Sequence, residues 1–503
     1  MQASGPYDLV IRGGTVFDGS GAPGIAADVA VRGDRIVAVG VAPERGASEL
    51  DARGLAVCPG FIDAHAHDDM AVLLDPEFAC KVMQGVTTDI VGNCGVGVAP
   101  FDAAISAWRD FAPGARPVPW SGFGGYLRRL DEQPPSLNVA VLMGQGTIRR
   151  AVMGIEDRPA TAGEIAHMQE VVREGRDAGC VGLSTGLIYE PGRYTATEEI
   201  IALARELGPG GGLYATHMRN EAAGLLDSVQ EAIRIGDEAG VPVQISHHKA
   251  AGAENAGKVR DSIALIEAAR ARSLDVTADQ YPYTAGSTYF FAVVQNGNFR
   301  ADGNPEAGGV GRARAEDVLF AAAPKHPEWE GQTLVQIAEQ LDLPVDAAAA
   351  RILAEEGKNA FVVLFMMDEA DVRTVMAHPT TMIGSDGVPA GEKPHPRLFG
   401  CFPRVLGRYA RDEGVLDLPT AIYKMTGLPA HKFKLAGRGS LAPGAFADLV
   451  VFDPRTVADT ATYEQPQRYP VGIRAVYVNG VCVARDGEHT HARPGRALRR
   501  GRE

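Results

Sequence analysis

Five apolar stretches of this chain each run into side chains that can hold a metal or move a proton. Phe61-Ile62-Asp63 leads into His65 and His67, with Asp68 and Asp69 behind them. Ile90-Val91-Gly92-Asn93 leads into Cys94, and Tyr214-Ala215-Thr216 into His217. Gln244-Ile245-Ser246 leads into His247, His248 and Lys249, and Ile383-Gly384-Ser385 into Asp386. Side chains alternate faces along a strand, so His65 and His67 aim into one space, about 6–7 Å apart along the chain. Each signal alone is weak. A buried cysteine is more often a packing residue than a ligand, and Ser-Asp-Gly is a common turn. Five such groups, each closing an apolar run, point to one metal-containing pocket.

Imidazole and thiolate donors suit Zn²⁺, which takes N and S ligands tetrahedrally and keeps a position open in catalytic sites. Cys94 would ligate as the thiolate. Asp386 is then the natural general base, a carboxylate able to take a proton from water and pass it to a leaving group.

The elements that must carry these groups follow from periodicity. Apolar strand candidates fall at 60–65, 87–92, 138–143, 182–184, 213–217, 241–247, 275–280 and 381–385. Helical patterns lie between several of them: Thr161–Ala178, with a threonine cap and Glu164 three residues on, Glu221–Ala239, and Asp261–Ala271. Eight strands alternating with helices predict an α/β fold, a TIM-like (β/α)8 barrel over about 59–430, with its site at the C-terminal strand ends. Residues 289–357 contain no clean strand, only Gly and Pro runs followed by helix-like 332–340 and 346–356; they read as an insertion after strand seven and a candidate lid.

The two ends of the chain are β-rich. Residues 7–18, broken by Gly13-Gly14, and 27–39, with a Gly33-Asp34 turn, read as hairpins; 437–453 reads as a turn and strand, and 471–483 as a hairpin on Asn479-Gly480. Neither end has enough strands to bury a sheet face alone, so 1–58 and 431–492 are expected to form one small β-sandwich domain. The basic segment 493–503 is expected to be a disordered tail.

Composition narrows the partners. A net charge of −14 argues against nucleic acid and anionic membranes. No apolar run approaches the length of a membrane span, and the first residues lack a basic region followed by an apolar core, so neither a transmembrane helix nor a signal peptide is expected. Six cysteines without paired spacing fit reduced thiols in a cytoplasm.

The order HxH, strand-two ligand, strand-five His, strand-six His and strand-eight Asp resembles the amidohydrolase superfamily, as does Gly439–Val450, which is similar to its terminal-domain pattern. Many binuclear members bridge their metals with a carboxylated lysine from strand four, but Gly182–Gly192 contains no lysine. In the D-aminoacylases (N-acyl-D-amino-acid deacylases) a strand-two thiolate takes that role. The chain resembles them at Gly92–Gly95, Gly182–Gly192, Thr216–Glu221, Ile245–Lys249, Asp279–Ser287 and His395–Arg397. That resemblance implies a tight zinc on Cys94, His217 and His247, and a second metal position, weak or empty, beside His65, His67 and Asp386. Alternation also favours His247, which shares a face with Val243 and Ile245, over His248.

The same resemblance implies substrate contacts at Lys249, Tyr281, Ser287 and Arg397, with Tyr189 lining the pocket. Arg397 is suited to grip a free α-carboxylate bidentately. The expected activity is hydrolysis of the amide of an N-acyl-D-amino acid, a small-molecule substrate. A cyclic amide (hydantoin or dihydropyrimidine) or a β-linked dipeptide is the alternative, disfavoured by Cys94 and the missing lysine. A non-enzymatic scaffold would require a lost strand-end group, and none is lost. The substrate's own side chain stays open: Lys249 and Arg300 are candidate partners for an acidic one, while the apolar residues around Phe290–Val294 favour an apolar one.

Overall fold

The computed structural model describes residues 7–108, 117–210, 212–294, 299 and 310–501. Eight short parallel strands form the barrel: β1 (Phe61–Asp63), β2 (Val86–Val91), β3 (Asn138–Gly144), β4 (Gly182–Gly186), β5 (Leu213–His217), β6 (Val243–Ile245), β7 (Val276–Gln280) and β8 (Thr381–Ile383). They pair in sequence order, and every residue in them is buried, as continuous apolar strands covered on both faces require. The ring closes where Ala64 N–H donates to Ile383 O and Asp386 N–H donates to His65 O at 2.7 Å. That seam puts Asp386 beside the HxH pair. All eight expected strands are present.

The helices follow their sequence signals closely. Thr161 and Glu164 form a capping box that opens the helix Ala162–Ala178, which stops at Gly179 in the left-handed region (φ 109°). The helix expected from Glu221 begins only at Leu225. The four residues before it are drawn toward the pocket: Ala251 N–H donates to Glu221 O, and Asn220 Oδ1 accepts from Ala222 and Gly224.

Strands from both ends of the chain join in one nine-stranded sheet, in the order 488–489, 481–485, 473–478, 449–452, 56–59, 7–16, 25–32, 35–40, with 46–51 also pairing with 7–16. Tyr7–Val16 is one bulged strand, not a hairpin. Its register slips between Ile11 and Gly14, and Gly13 takes φ 65° there. The hairpin turns at Gly33-Asp34 and Asn479-Gly480 are as expected. The sheet encloses its own core around Ile11, Val29, Val57, Leu449 and Val451.

The C-terminal segment is ordered through residue 501, contrary to the disorder its basic composition suggested. Val139 N–H donates to Arg496 O, Leu498 N–H to Val139 O and Arg500 N–H to Gly179 O, so backbone pairing with β3 holds it. The insertion also contains more strand than expected. Ala285–Tyr289, Phe361–Phe365 and Val318–Ala322 form an antiparallel sheet, which with helices Leu334–Gln340 and Val345–Glu356 packs a separate core around Phe290, Phe320, Trp329 and Val362. No helix among the described residues is long and apolar enough to cross a membrane.

One glycine is indispensable to the site's backbone. A Cβ on Gly186, at the end of β4, would lie 2.0 Å from Cys94 O. Gly186→Ala is therefore expected to destabilise the protein by about 1–3 kcal/mol through overpacking and to lower its metal content. Gly163, exposed in a helix with open space around it, is the control: Gly163→Ala should stabilise by about 0.5–1 kcal/mol. Denaturant midpoints and metal analysis of the two variants read both effects.

Candidate active site

The ends of β1, β2, β5, β6 and β8 converge on Cys94. Its Sγ lies 3.3 Å from His65 Nε2 and 3.5 Å from His247 Nε2. Donor atoms of Cys94, His217 and His247 all lie within 4.8 Å of one another, and so do those of His65, His67, Cys94 and Asp386. Cys94 belongs to both groups, and all six residues are buried.

Three of the six have left-handed backbones: Cys94 (φ 53°), His247 (φ 36°) and Asp386 (φ 49°). Non-glycine residues rarely adopt this conformation, and it concentrates at sites where the fold over-determines it. It also corrects the reasoning that favoured His247 over His248. β6 ends at Ile245, so strand alternation does not reach position 247. The turn selects His247 instead, its N–H donating to Asp279 Oδ1 at 2.7 Å, while His248 Nε2 pairs with Ser262 Oγ at 2.8 Å.

Two buried carboxylates orient the histidines, and the sequence reading passed over both as site residues. Asp279 Oδ1 lies 3.2 Å from His65 Nδ1, and its Oδ2 accepts from Gln244 Nε2 at 2.8 Å. Glu221 Oε1 lies 2.9 Å from His247 Nδ1 and 2.6 Å from Lys249 Nζ. An ionised carboxylate only accepts, so His65 donates from Nδ1 and presents its Nε2 lone pair toward Cys94, while His247 Nδ1 lies between the Glu221 carboxylate and Lys249 Nζ, 2.8 Å away. This is the usual arrangement behind metal-bound imidazoles. Both acids lie in the stretches Thr216–Glu221 and Asp279–Ser287; the signal that could have found them is that a ligand histidine needs a carboxylate partner. Lys249 Nζ also donates to His247 O at 2.9 Å, so its charge is used within the site.

The electrostatics suit a bound cation. Burial would raise the Cys94 thiol, but His65 and His247 beside it hold it well below the usual thiol range. Asp386 is likewise held well below the carboxylate range: burial opposes ionisation, and Arg397, His65 and His247 outweigh it. Both nitrogens of His217 are buried without a hydrogen-bond partner. An orphaned imidazole beside a thiolate and a second imidazole is what a zinc ligand set leaves when only protein atoms are counted, so the residues fit the metal.

Four of the five residues expected to contact a substrate border this centre. Tyr189, Lys249, Tyr281 and Ser287 line one cavity of about 100 Å³ with His67, Cys94, His217, His247 and Asp386. Tyr189 packs edge-on against His217, ring centres 5.0 Å apart, and its hydroxyl pairs with Thr288 Oγ1. Arg397, fully buried, stacks its guanidinium 4.3 Å from the Tyr281 ring centre and places Nη1 2.9 Å from Asp386 Oδ2. Ser287 stands on the insertion's first strand, so the insertion is a wall of the pocket, beginning at Ala285. Within Phe290–Val294, Phe290 and Val293 are buried in the insertion's own core, and Phe291 reaches the cavity. Arg300 lies outside the described residues.

A second buried network, also missed from sequence, braces the β1–β8 seam. Lys81 Nζ contacts Asp63 Oδ2 (2.5 Å), Asp68 Oδ2 (2.8 Å) and Ser385 Oγ (2.9 Å). Asp63 Oδ1 accepts from the backbone N–H groups of His65 and Ser385.

A parallel barrel whose strand ends gather a thiolate, four imidazoles and a carboxylate around one centre is the architecture of a metal-dependent hydrolase of the amidohydrolase type. The chain belongs to the amidohydrolase family: that family's sequence profile matches residues 48–484. It is 44% identical to the D-aminoacylase of Alcaligenes xylosoxydans xylosoxydans, covering 99% of this chain and 98% of that one. It is 42% identical to the N-acyl-D-aspartate deacylase of the same organism, covering 98% and 95%. The crystal structure of N-acyl-D-glutamate deacylase from Bordetella bronchiseptica, complexed with zinc and a phosphonate inhibitor, superposes with a TM-score of 0.87 at 38% identity, covering 98% of this chain and 99% of that one.

Because Asp279 and Glu221 orient the donors, Asp279→Asn and Glu221→Gln are each expected to weaken zinc binding by about 10–100-fold. Competition against a chromophoric chelator measures this, with circular dichroism to verify that both variants fold.

Proposed function

We propose that this protein hydrolyses N-acyl-D-amino acids to a carboxylate and the free D-amino acid, using zinc held by Cys94, His217 and His247. The observation that carries the reading is the orphaned His217 imidazole beside Cys94 and His247, within a cavity that also holds Asp386. His65 and His67, with Cys94 and Asp386, frame a second metal position of lower affinity. Zinc, when bound, supplies a Lewis acid that polarises the acyl carbonyl and makes water easier to deprotonate.

The side chains do the rest. Asp386, ionised and 3.1 Å from His67 Nε2, takes the proton of the attacking water and delivers it to the departing amine. His67 faces the same space and hydrogen-bonds the oxygen on which negative charge develops. Arg397 and Tyr281 at one side, and Ser287 on the insertion, recognise the substrate carboxylate. Tyr189 packs on His217 and limits the pocket. The barrel, about 59–430, carries the chemistry, and the sheet built from 1–58 and 431–492 braces it. Six free cysteines, five of them buried, suit a reducing cytoplasm.

The pocket favours an apolar D-side chain. Each cation among its described lining residues is engaged: Lys249 by Glu221, Lys358 by Glu190 Oε2 at 2.9 Å, and Arg150 by Glu190 O at 3.4 Å. Val96, Tyr289, Phe291, Phe361 and Met366 supply apolar surface.

A kinetic panel tests this. N-acetyl-D-methionine or N-acetyl-D-leucine should be turned over with kcat/KM at least about tenfold above N-acetyl-D-aspartate, and L-isomers hardly at all; hydrolysis of L-isomers alone would refute the reading. Asp386→Ala should retain zinc and lose several orders of magnitude in kcat, roughly 10³-fold or more. Near-normal turnover in that variant would remove Asp386 from the mechanism.

A further inference from the structure

A second His-x-His lies near the C-terminus, at His489 and His491, far in sequence from the catalytic residues. Both rings meet Glu77, which sits between the short helices Ala71–Leu74 and Ala79–Val82 that follow β1. His491 Nδ1 is 3.0 Å from both Glu77 oxygens, and His489 Nδ1 is 3.5 Å from Glu77 Oε2. The three donors lie within 4.8 Å of one another. Ligands about 2.0–2.1 Å from a tetrahedral metal stand about 3.3 Å apart, so these separations match a site of that size.

The tautomer of His489 makes the case more specific. Ser136 Oγ donates its proton to Ala492 O at 2.7 Å, so it can only accept from His489 Nε2, 3.1 Å away. His489 therefore carries its proton on Nε2 and turns the Nδ1 lone pair toward the Glu77 carboxylate. A lone pair facing a carboxylate at 3.5 Å is repulsive, relieved only in part by the His491 N–H at 3.1 Å. A cation between them converts that repulsion into coordination. The Nε2–H to oxygen contact is also the hydrogen bond that ligand histidines usually make on their far side. The left-handed backbone at His491 (φ 63°) breaks strand alternation at this hairpin, and the two rings stand nearly perpendicular, 5.6 Å between centres.

We infer that Glu77, His489 and His491 form a Zn²⁺ site, separate from the active centre, that clamps the C-terminal segment to the barrel. Two imidazoles and one carboxylate are a zinc donor set, with water completing the tetrahedron. The location agrees with a structural role. Ser136 N–H donates to Pro76 O, which places Glu77 beside the lead-in to β3, whereas the catalytic cavity is built from the strands' C-terminal ends. The same C-terminal segment goes on to pair with β3, so the metal would anchor its entry.

The test uses the full chain, depleted of metal and titrated with Zn²⁺, with zinc per chain, melting temperature and turnover measured on each sample. His491→Ala changes a residue whose side chain is 77% exposed and should leave folding and kcat/KM unchanged. It is expected to bind one zinc fewer per chain than wild type and to lose the rise in melting temperature that accompanies that last equivalent. Ser136→Ala should weaken the same equivalent by about tenfold, while Cys94→Ala should retain it and lose active-site zinc. Equal zinc stoichiometry and identical zinc-dependent melting for wild type and His491→Ala would overturn the inference.

Discussion

An imidazole offers a lone pair at one nitrogen only when the other holds its proton, and in this site Asp279 settles that choice for His65, while Glu221 and Lys249 together hold the Nδ1 side of His247. Everything at the metal centre depends on it. With the His65 tautomer reversed, an N–H group would point at Cys94 in place of a lone pair. The carboxylates also act on the backbone: Asp279 Oδ1 accepts from His247 N–H, and Glu221 O accepts from Ala251 N–H. One aspartate thus orients a ring on β1 and holds the strained turn after β6, coupling two strands far apart in sequence.

The seam between β1 and β8 is under a similar constraint. Asp386 comes within 3.1 Å of His67 because backbone pairing and the Asp63–Lys81–Ser385 cluster fasten the two strand ends together. A buried ammonium is costly to desolvate and is tolerated only when carboxylates and hydroxyls satisfy it completely. Here burial would strip the proton from Lys81, but Asp63, Asp68 and Asp89 raise its affinity for it well above normal. The fold accepts a demanding polar network beneath the site, and in return the Asp386 carboxylate, next in the chain to Ser385, is placed by a short connection to that network.

Much of this was legible in the sequence, and what was not has identifiable causes. Strands of the barrel are continuous apolar runs, a local signal, and all eight were found. The strand-end donors were found because their types are rare at the ends of apolar runs. Asp279 and Glu221 were not, since acidic residues are common and their meaning comes only from which histidine they meet. The Gly13-Gly14 break read as a turn because a bulge and a hairpin use the same glycine chemistry; the partner strand, not the glycines, decides between them. The C-terminal segment read as disordered because its order comes from backbone pairing with β3, and composition carries no record of long-range pairing. Glu221–Ala239 lost its first turn for the reason that makes Glu221 useful: its backbone is committed to the pocket.

The insertion gives the architecture its division of labour. Its strands Ala285–Tyr289 and Phe361–Phe365 face the cavity with Ser287, Tyr289 and Phe361, while a separate core around Phe320, Trp329 and Val362 supports them from behind. The metal floor is packed by the barrel instead, through its own buried cluster. The wall and the metal floor thus rest on separate buried clusters.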